Sequence, residues 1–236
     1  MKAYEKVVAA TFLRRPNRFV AQVMLEGREV TVHVKNTGRC KELLVPHATV
    51  YLAVAPEGAQ RKTAYDLVAV EKVLPTGKLL LVNMDAQLPN ALAEEYFRRE
   101  LREKSHITLR REVTYGDSRF DLCLTDTRTG RKTYVEVKGV TLENDGVASF
   151  PDAPTERGVK HLKGLAELVR EGHDACVFFV VQMKGVHVFK PNDLTHQAFG
   201  DALRDAVGHG VRVLCMDCAV TPDAVTVDQH IPVELS

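Results

Sequence analysis

The chain has 236 residues, of which 45% are hydrophobic, 27% charged and 6% aromatic. That balance excludes a disordered chain, a collagen-like fibre and a coiled coil, and no stretch approaches the ~18 uncharged apolar residues of a membrane-spanning helix. The net charge of +1 conceals a gradient: residues 1–85 carry 13 Lys+Arg against 8 Asp+Glu, while residues 191–236 carry 2 against 7. A basic first third suggests an anionic partner such as nucleic acid. The five cysteines (Cys40, Cys123, Cys176, Cys215, Cys218) are odd in number and lie mostly in apolar runs, as thiols do in a reducing compartment. With no leader-like apolar run after Met1-Lys2, a cytoplasmic protein without membrane contact is expected.

Up to residue 85 the chain alternates with period two in short Val- and Thr-rich runs at 7–13, 19–25, 30–34, 49–54, 67–73 and 79–82. Turn chemistry separates them: Pro16-Asn17, Glu26-Gly27, and Pro and Gly at 56–58 and 75–77. Strands at this spacing in a short domain predict a small closed barrel, and five strands suit an oligonucleotide-binding (OB) barrel. After residue 85 helices and strands mix. Asn90 is positioned to cap a helix with apolar residues Leu92, Tyr96, Phe97 and Leu101. Strands are expected near 109–115, 119–125 and 132–138, the last two joined by a turn over 126–130. Thr155 opens a second helix stopped by Gly172, and the apolar run 175–181 reads as a buried central strand. Asp193 opens a third helix, and residues 211–216 form another strand. The fold class is therefore mixed α/β, with a barrel over 1–85 and an α/β domain over 86–236.

One constellation carries specific chemistry. In the strand Tyr134-Val135-Glu136-Val137-Lys138, alternation puts Glu136 and Lys138 on one face while Val135 and Val137 enter the core on the other. Asp121 on the preceding strand can approach Glu136 across the hairpin. Two carboxylates and the main-chain carbonyl of Val137 are hard oxygen ligands suited to Mg²⁺ or Mn²⁺. Such an ion polarises a phosphoryl oxygen, and Lys138 can orient water or offset developing charge. A Glu-x-Lys triplet arises by chance about once in a chain of this length. The acid one strand earlier and the surrounding element order set this one apart from a surface ion pair.

That order, with Asp before Glu-x-Lys, resembles the PD-(D/E)xK nuclease superfamily, whose restriction-endonuclease-like fold it implies for residues 86–236. More closely, four strings resemble the sugar fermentation stimulation protein A family: Asn36-Thr37-Gly38-Arg39-Cys40-Lys41-Glu42-Leu43-Leu44, Arg61-Lys62-Thr63-Ala64-Tyr65-Asp66-Leu67, residues 134–142, and Phe150-Pro151-Asp152-Ala153-Pro154-Thr155-Glu156-Arg157-Gly158 with Lys160-His161-Leu162. The resemblance implies an OB barrel joined to a nuclease-like domain, DNA binding without strong sequence preference, and a role in expression of sugar-utilisation genes. It gives Asp121 and Glu136 as metal ligands, with Phe120 where a Pro is usual, and Lys138 as the catalytic lysine. Glu100 is a candidate further acid, in competition with Glu95, Glu103 and Glu112. Arg157 and Lys160, beside the loop at 151–157, are available to phosphates.

On the barrel, Arg39, Lys41, Arg61 and Lys62 are the candidate phosphate contacts, with Arg14, Arg15 and Arg18 behind them. Tyr51 and Tyr65 are candidate stacking residues. Cys215 and Cys218 have metal-ligand spacing but lack a second pair. His161 lies near the site and receives no role. Two functions are compatible with these residues: a divalent-metal-dependent nuclease with DNA preferred over RNA, or a non-catalytic DNA-binding regulator with a silent nuclease-like domain. Oligomeric state is not encoded in any of these features.

Overall fold

The computed structural model describes residues 1–58 and 60–236. The alternating strands of the first third close on themselves. Strands β1 (Val7–Asn17), β2 (Val20–Leu25) and β3 (Arg28–Val34) form an antiparallel meander. Strand β4 (Thr49–Val54) pairs with β1, and β5 (Tyr65–Val73) pairs with β4. Two parallel pairings, His33 with Asp66 and Val34 with Leu67, join β3 to β5 and complete a five-stranded barrel. Closure of this kind removes free sheet edges. Strand β6 (Leu79–Asn83) adds to the outside of β5. The inward residues of the pattern, Val23, Val32, Val50, Leu52 and Val70, are fully buried. Strand β1 runs through Pro16 because its pairing with β2 slips twice between Phe12 and Asn17, where Pro costs no ladder bond.

The α/β domain opens with α1 (Leu88–Glu100) and the meander β7 (Ile107–Tyr115), β8 (Ser118–Asp126) and β9 (Lys132–Val140). The turn between β8 and β9 is held by the Asp126 carboxylate, which accepts from the amides of Arg128 and Thr129, and by left-handed Gly130. A small sheet of β10 (Leu142–Asn144), β11 (Val147–Phe150) and β13 (Val188–Pro191) follows from the end of β9. Helix α2 (Glu156–Arg170) then returns the chain to β12 (Asp174–Val181), parallel to β9. Helix α3 (Asp193–Gly208) leads to β14 (Arg212–Val220), parallel to β12, and β15 (Val225–His230) forms the antiparallel edge.

Helix α1 covers one face of this sheet, with Leu88 and Leu92 against Val135, Val137, Phe178 and Val180. Helices α2 and α3 cover the other, with Leu162, Leu165 and Phe199 against Tyr134, Val177 and Phe179. Coverage from both sides explains why β12 is a continuous apolar run. The core on the α2 side is continuous with the interior of the barrel. Polar contacts line the same seam: Lys35 Nζ reaches Asp85 at 2.7 Å, Gln182 Nε2 donates to Asn83 Oδ1 at 2.8 Å, and Lys72 Nζ donates to Glu143 Oε2 at 2.6 Å. No helix among the described residues is long and apolar enough to cross a membrane.

Several expected starts and stops move. Thr155 caps α2 as its sequence suggests, its hydroxyl accepting from Gly158 N at 3.1 Å. Asn90, however, does not cap α1: the helix starts at Leu88, where Pro89 presets the first turn. Asp193 likewise lies inside the first turn of α3, paired with Arg204 rather than capping. The small sheet falls outside the expected elements because its strands of three and four residues carry no readable period, and the six-residue edge strand β15 is also absent from the pattern.

The buried Lys72–Glu143 contact fixes the barrel to the small sheet, and Glu143 is nearly inaccessible. Removing one partner of such a pair leaves an uncompensated charge in the interior. Lys72→Met is expected to lower stability by about 3 kcal/mol, read from the urea midpoint, with most of the loss recovered in Lys72→Met combined with Glu143→Gln.

Candidate active site

The site is created where the β8–β9 ladder stops. The last paired residues are Leu122 and Val135. One residue further along, Asp121 Oδ2 accepts from the backbone N–H of Val137 at 2.7 Å, so a carboxylate occupies the place of a strand carbonyl. Phe120 packs on the α2 side of the sheet and Leu122 on the α1 side, so the alternation of β8 breaks at Asp121. Glu112, which faces this point on β7, has a left-handed backbone at φ 54°, as at an irregularity in the strand. The second oxygen, Oδ1, accepts from Asn90 Nδ2 at 2.8 Å. Helix α1 thus holds one side of the carboxylate and β9 the other. In a strand, a residue's N–H and C=O point toward the same edge, so the Val137 carbonyl also faces Asp121.

Glu136 projects from β9 toward α2. Its Oε1 accepts from Lys138 Nζ at 2.5 Å and from Nδ1 of His161 on α2. His161 Nε2 in turn accepts from Arg157 Nε at 3.4 Å, which assigns the ring proton to Nδ1. Glu136 Oε2 is buried and has no hydrogen-bond partner. Two carboxylates that meet in a half-buried site must divide their charge. Burial, and then the neighbouring Glu136 charge, raise the Asp121 carboxyl above the ordinary aspartate range, against the Val137 amide, Lys138 and Asn90. Burial would also raise Glu136, but the His161 hydrogen bond and Lys138 outweigh it and hold that carboxyl below the usual range. Environments that push two acids apart are a recurrent property of reactive sites.

This donor set suits a hard divalent cation. An unpartnered buried carboxylate oxygen on Glu136, an Asp121 carboxylate disfavoured in its charged form, and a carbonyl facing the same edge would each gain from one. Among the described residues no three His, Cys, Asp or Glu side chains gather as ligands, so the remaining positions would fall to the carbonyl and to water, as Mg²⁺ tolerates.

Other candidates lie elsewhere. Glu100 is exposed and paired with Arg99 at the far end of α1, ~15 Å along the helix axis from Asn90, so it does not join the cluster. Glu95, Glu103 and Glu112 are also exposed, each near a cation of its own. Arg157 serves His161, and Lys160 is exposed, donating to the Asp117 carbonyl at 3.3 Å. On the barrel, Arg39, Lys41 and Lys62 are exposed, whereas Arg61 is bound to Asp66 through two nitrogens and Arg14 to Glu29. Tyr51 is half-buried and donates to Glu71 at 2.7 Å, and Tyr65 packs on the core. Cys215 and Cys218 belong to cores on opposite faces of the sheet and cannot share a metal.

Two residues of the cluster carried no sequence signal of their role. His161 lies in the buried stripe of α2 with Gly158, Leu162 and Leu165, and a polar residue in such a stripe must find a partner. Asn90 has the look of a cap, and the structure puts its amide to a different use.

A family model described as "Sugar fermentation stimulation protein RE domain" matches residues 87–224, and one described as "SfsA N-terminal OB domain" matches residues 13–82. The chain belongs to the sugar fermentation stimulation protein family. It is 49% identical over 233 residues to a sugar fermentation stimulation protein homolog of Desulfitobacterium hafniense, with 98% of each chain covered. A homolog of Alkaliphilus oremlandii is 46% identical over 237 residues, again with 98% of each covered. Among solved structures, that of Pyrococcus furiosus SfsA in complex with Ca²⁺ superposes with a TM-score of 0.84 at 27% identity, covering 99% of both chains.

A carboxyl held above its ordinary value makes the ionised form costly in the fold. The folded protein then binds the proton more tightly than the unfolded chain, so this group lowers stability as pH rises through its titration. Asp121→Asn is therefore expected to melt at or above the parent temperature at pH 7, with the difference shrinking toward pH 4; a lower melting temperature at pH 7 would contradict the assigned direction.

Proposed function

We propose that this member of the sugar fermentation stimulation family is a divalent-cation-dependent phosphodiesterase acting on nucleic acid, with DNA the preferred substrate. Its α/β domain is read as a PD-(D/E)xK nuclease-like domain and its barrel as the part that holds the strand. The observation that carries this reading is the bond between the Asp121 carboxylate and the Val137 amide, which ties one acid to the backbone between Glu136 and Lys138 where β8 parts from β9. The Ca²⁺ in the Pyrococcus furiosus relative supports it, since Ca²⁺ and Mg²⁺ both favour oxygen ligands.

Asp121, Glu136 and the Val137 carbonyl would hold the cation. When bound, it supplies Lewis-acid polarisation of a phosphoryl oxygen and a more acidic water. The chain's own groups do the positioning. Asn90 and the Val137 amide fix the Asp121 carboxylate, leaving it no rotamer to search. His161 and Lys138 fix Glu136 and orient its free oxygen. Lys138, on the same face as Glu136, places a cationic donor where charge accumulates on the phosphorane. The occupation of Glu136 Oε1 by two donors, one of them the Lys138 ammonium, would equally suit a binding protein whose cation site is silent. Cleavage assays separate the two.

With labelled single-stranded and duplex DNA in Mg²⁺ or Mn²⁺, Asp121→Asn and Lys138→Ala are each expected to lower the cleavage rate by about 10²–10³-fold. Equal cleavage by parent and both variants would assign the activity to a contaminant. If the barrel contacts phosphates through exposed cations, Arg39→Ala combined with Lys41→Ala should reduce the slope of log affinity against log salt by about two. An unchanged slope would move the binding surface elsewhere.

A further inference from the structure

The tip of the barrel carries an exposed aromatic ring in a setting built to hold it. Phe19 lies between β1 and β2 and is 47% exposed, while the other aromatic candidates of the barrel are tied inward. Its backbone is fixed at both ends: Phe19 N donates to Asn17 Oδ1 at 2.9 Å, and Phe19 O accepts from Val34 N at 2.8 Å. The guanidinium of Arg18 sits 4.9 Å from the ring centroid. A lone exposed apolar residue is ordinary, so the surroundings decide its meaning.

Those surroundings are cationic and braced. Arg15 donates from its two terminal nitrogens to the carbonyls of Arg18, Asn36, Gly38 and Arg39, at 2.6 to 2.9 Å. One buttressing side chain thus staples the Phe19 turn to the loop at 36–39 and brings Arg18, Phe19 and Arg39 onto one surface, with Lys41 two residues on. Among the described residues Arg18, Arg39 and Lys41 make no ion pair, whereas Arg14 and Arg61 do. The same loop lines a cleft of about 340 Å³ together with the segment 150–155 and Gly139. The walls nearly touch: a Cβ on Gly38 would lie 2.5 Å from Asp152 Oδ2. A π-face flanked by free cations is what an unpaired base and its phosphates recognise, and a duplex keeps its base faces stacked on one another.

We propose that Phe19 is the stacking platform of a single-strand binding surface, with Arg18, Arg39 and Lys41 along its phosphates. This deepens the nuclease reading and rests on it for the nature of the ligand. The test is fluorescence anisotropy of the full chain with a labelled 20-mer of thymidylate and with a 20-base-pair duplex, in EDTA to prevent cleavage, over a salt series. The single strand should bind at least tenfold more tightly than the duplex. Phe19→Ala should weaken single-strand binding about tenfold with an unchanged salt slope, since stacking releases no counterions, and Phe19→Trp should restore it. An unchanged melting temperature in Phe19→Ala separates this from unfolding. Binding by the parent that prefers duplex, or that Phe19→Ala leaves intact, overturns the platform alone. No binding to either nucleic acid overturns the platform and the nucleic-acid reading together.

Discussion

A single substitution of partners organises this molecule: the amide of Val137 gives its hydrogen to a side-chain carboxylate instead of a neighbouring strand. A sheet is stable because each interior amide has a carbonyl waiting for it. When Asp121 fills that place, β8 is released from β9 without leaving a donor unpaired. The opening that results lies beside Glu136 and Lys138, on either side of Val137 in β9. The same bond fixes one acid, and the alternation of β9 delivers the other two residues to the face where α2 can reach them. Fold and site are therefore one construction, since the interaction that ends the ladder also positions the carboxylate.

The two acids also show how a half-buried site tolerates neighbouring negative charge. Glu136 has a cationic neighbour and an imidazole donor that hold its carboxyl below the usual range, while Asp121 has two neutral donors and is raised by burial and by the Glu136 charge. Each support comes from a different element: α1 through Asn90, β9 through Val137 and Lys138, α2 through His161 and Arg157. Support distributed over three elements makes the geometry a property of the whole domain, because no one of them can shift without disturbing a carboxylate.

Much of this was legible in the sequence, and the divisions are instructive. Barrel strands were visible because period two is a direct consequence of one face being buried, and β4 has the same bounds in pattern and in structure. The central strand β12 announced itself by being apolar throughout. Asp121, Glu136 and Lys138 could be singled out since a hairpin and an alternating strand suffice to relate them. Asn90 and His161 could not, because their roles depend on which way α1 and α2 face after packing, and no local spacing encodes that. Glu100 shows the converse: it stands on the correct helix, but the helix meets the site with its first turn and Glu100 is in its last. The aromatic residue of interest on the barrel was hidden for a similar reason. Tyr51 and Tyr65 have the expected residue type, yet each has a structural partner, while Phe19 stands in a turn, where composition offers no reason to look.

The interior that runs unbroken from the barrel into the α2 side of the second domain has one more implication. Two modules joined by a flexible tether can be exchanged, lost or duplicated separately over evolutionary time. Here each module covers apolar surface of the other, and Lys72 pairs with Glu143 across the boundary, so separating the halves would expose both to water. A substitution that reshapes one half along this shared interior therefore acts on the packing of the other.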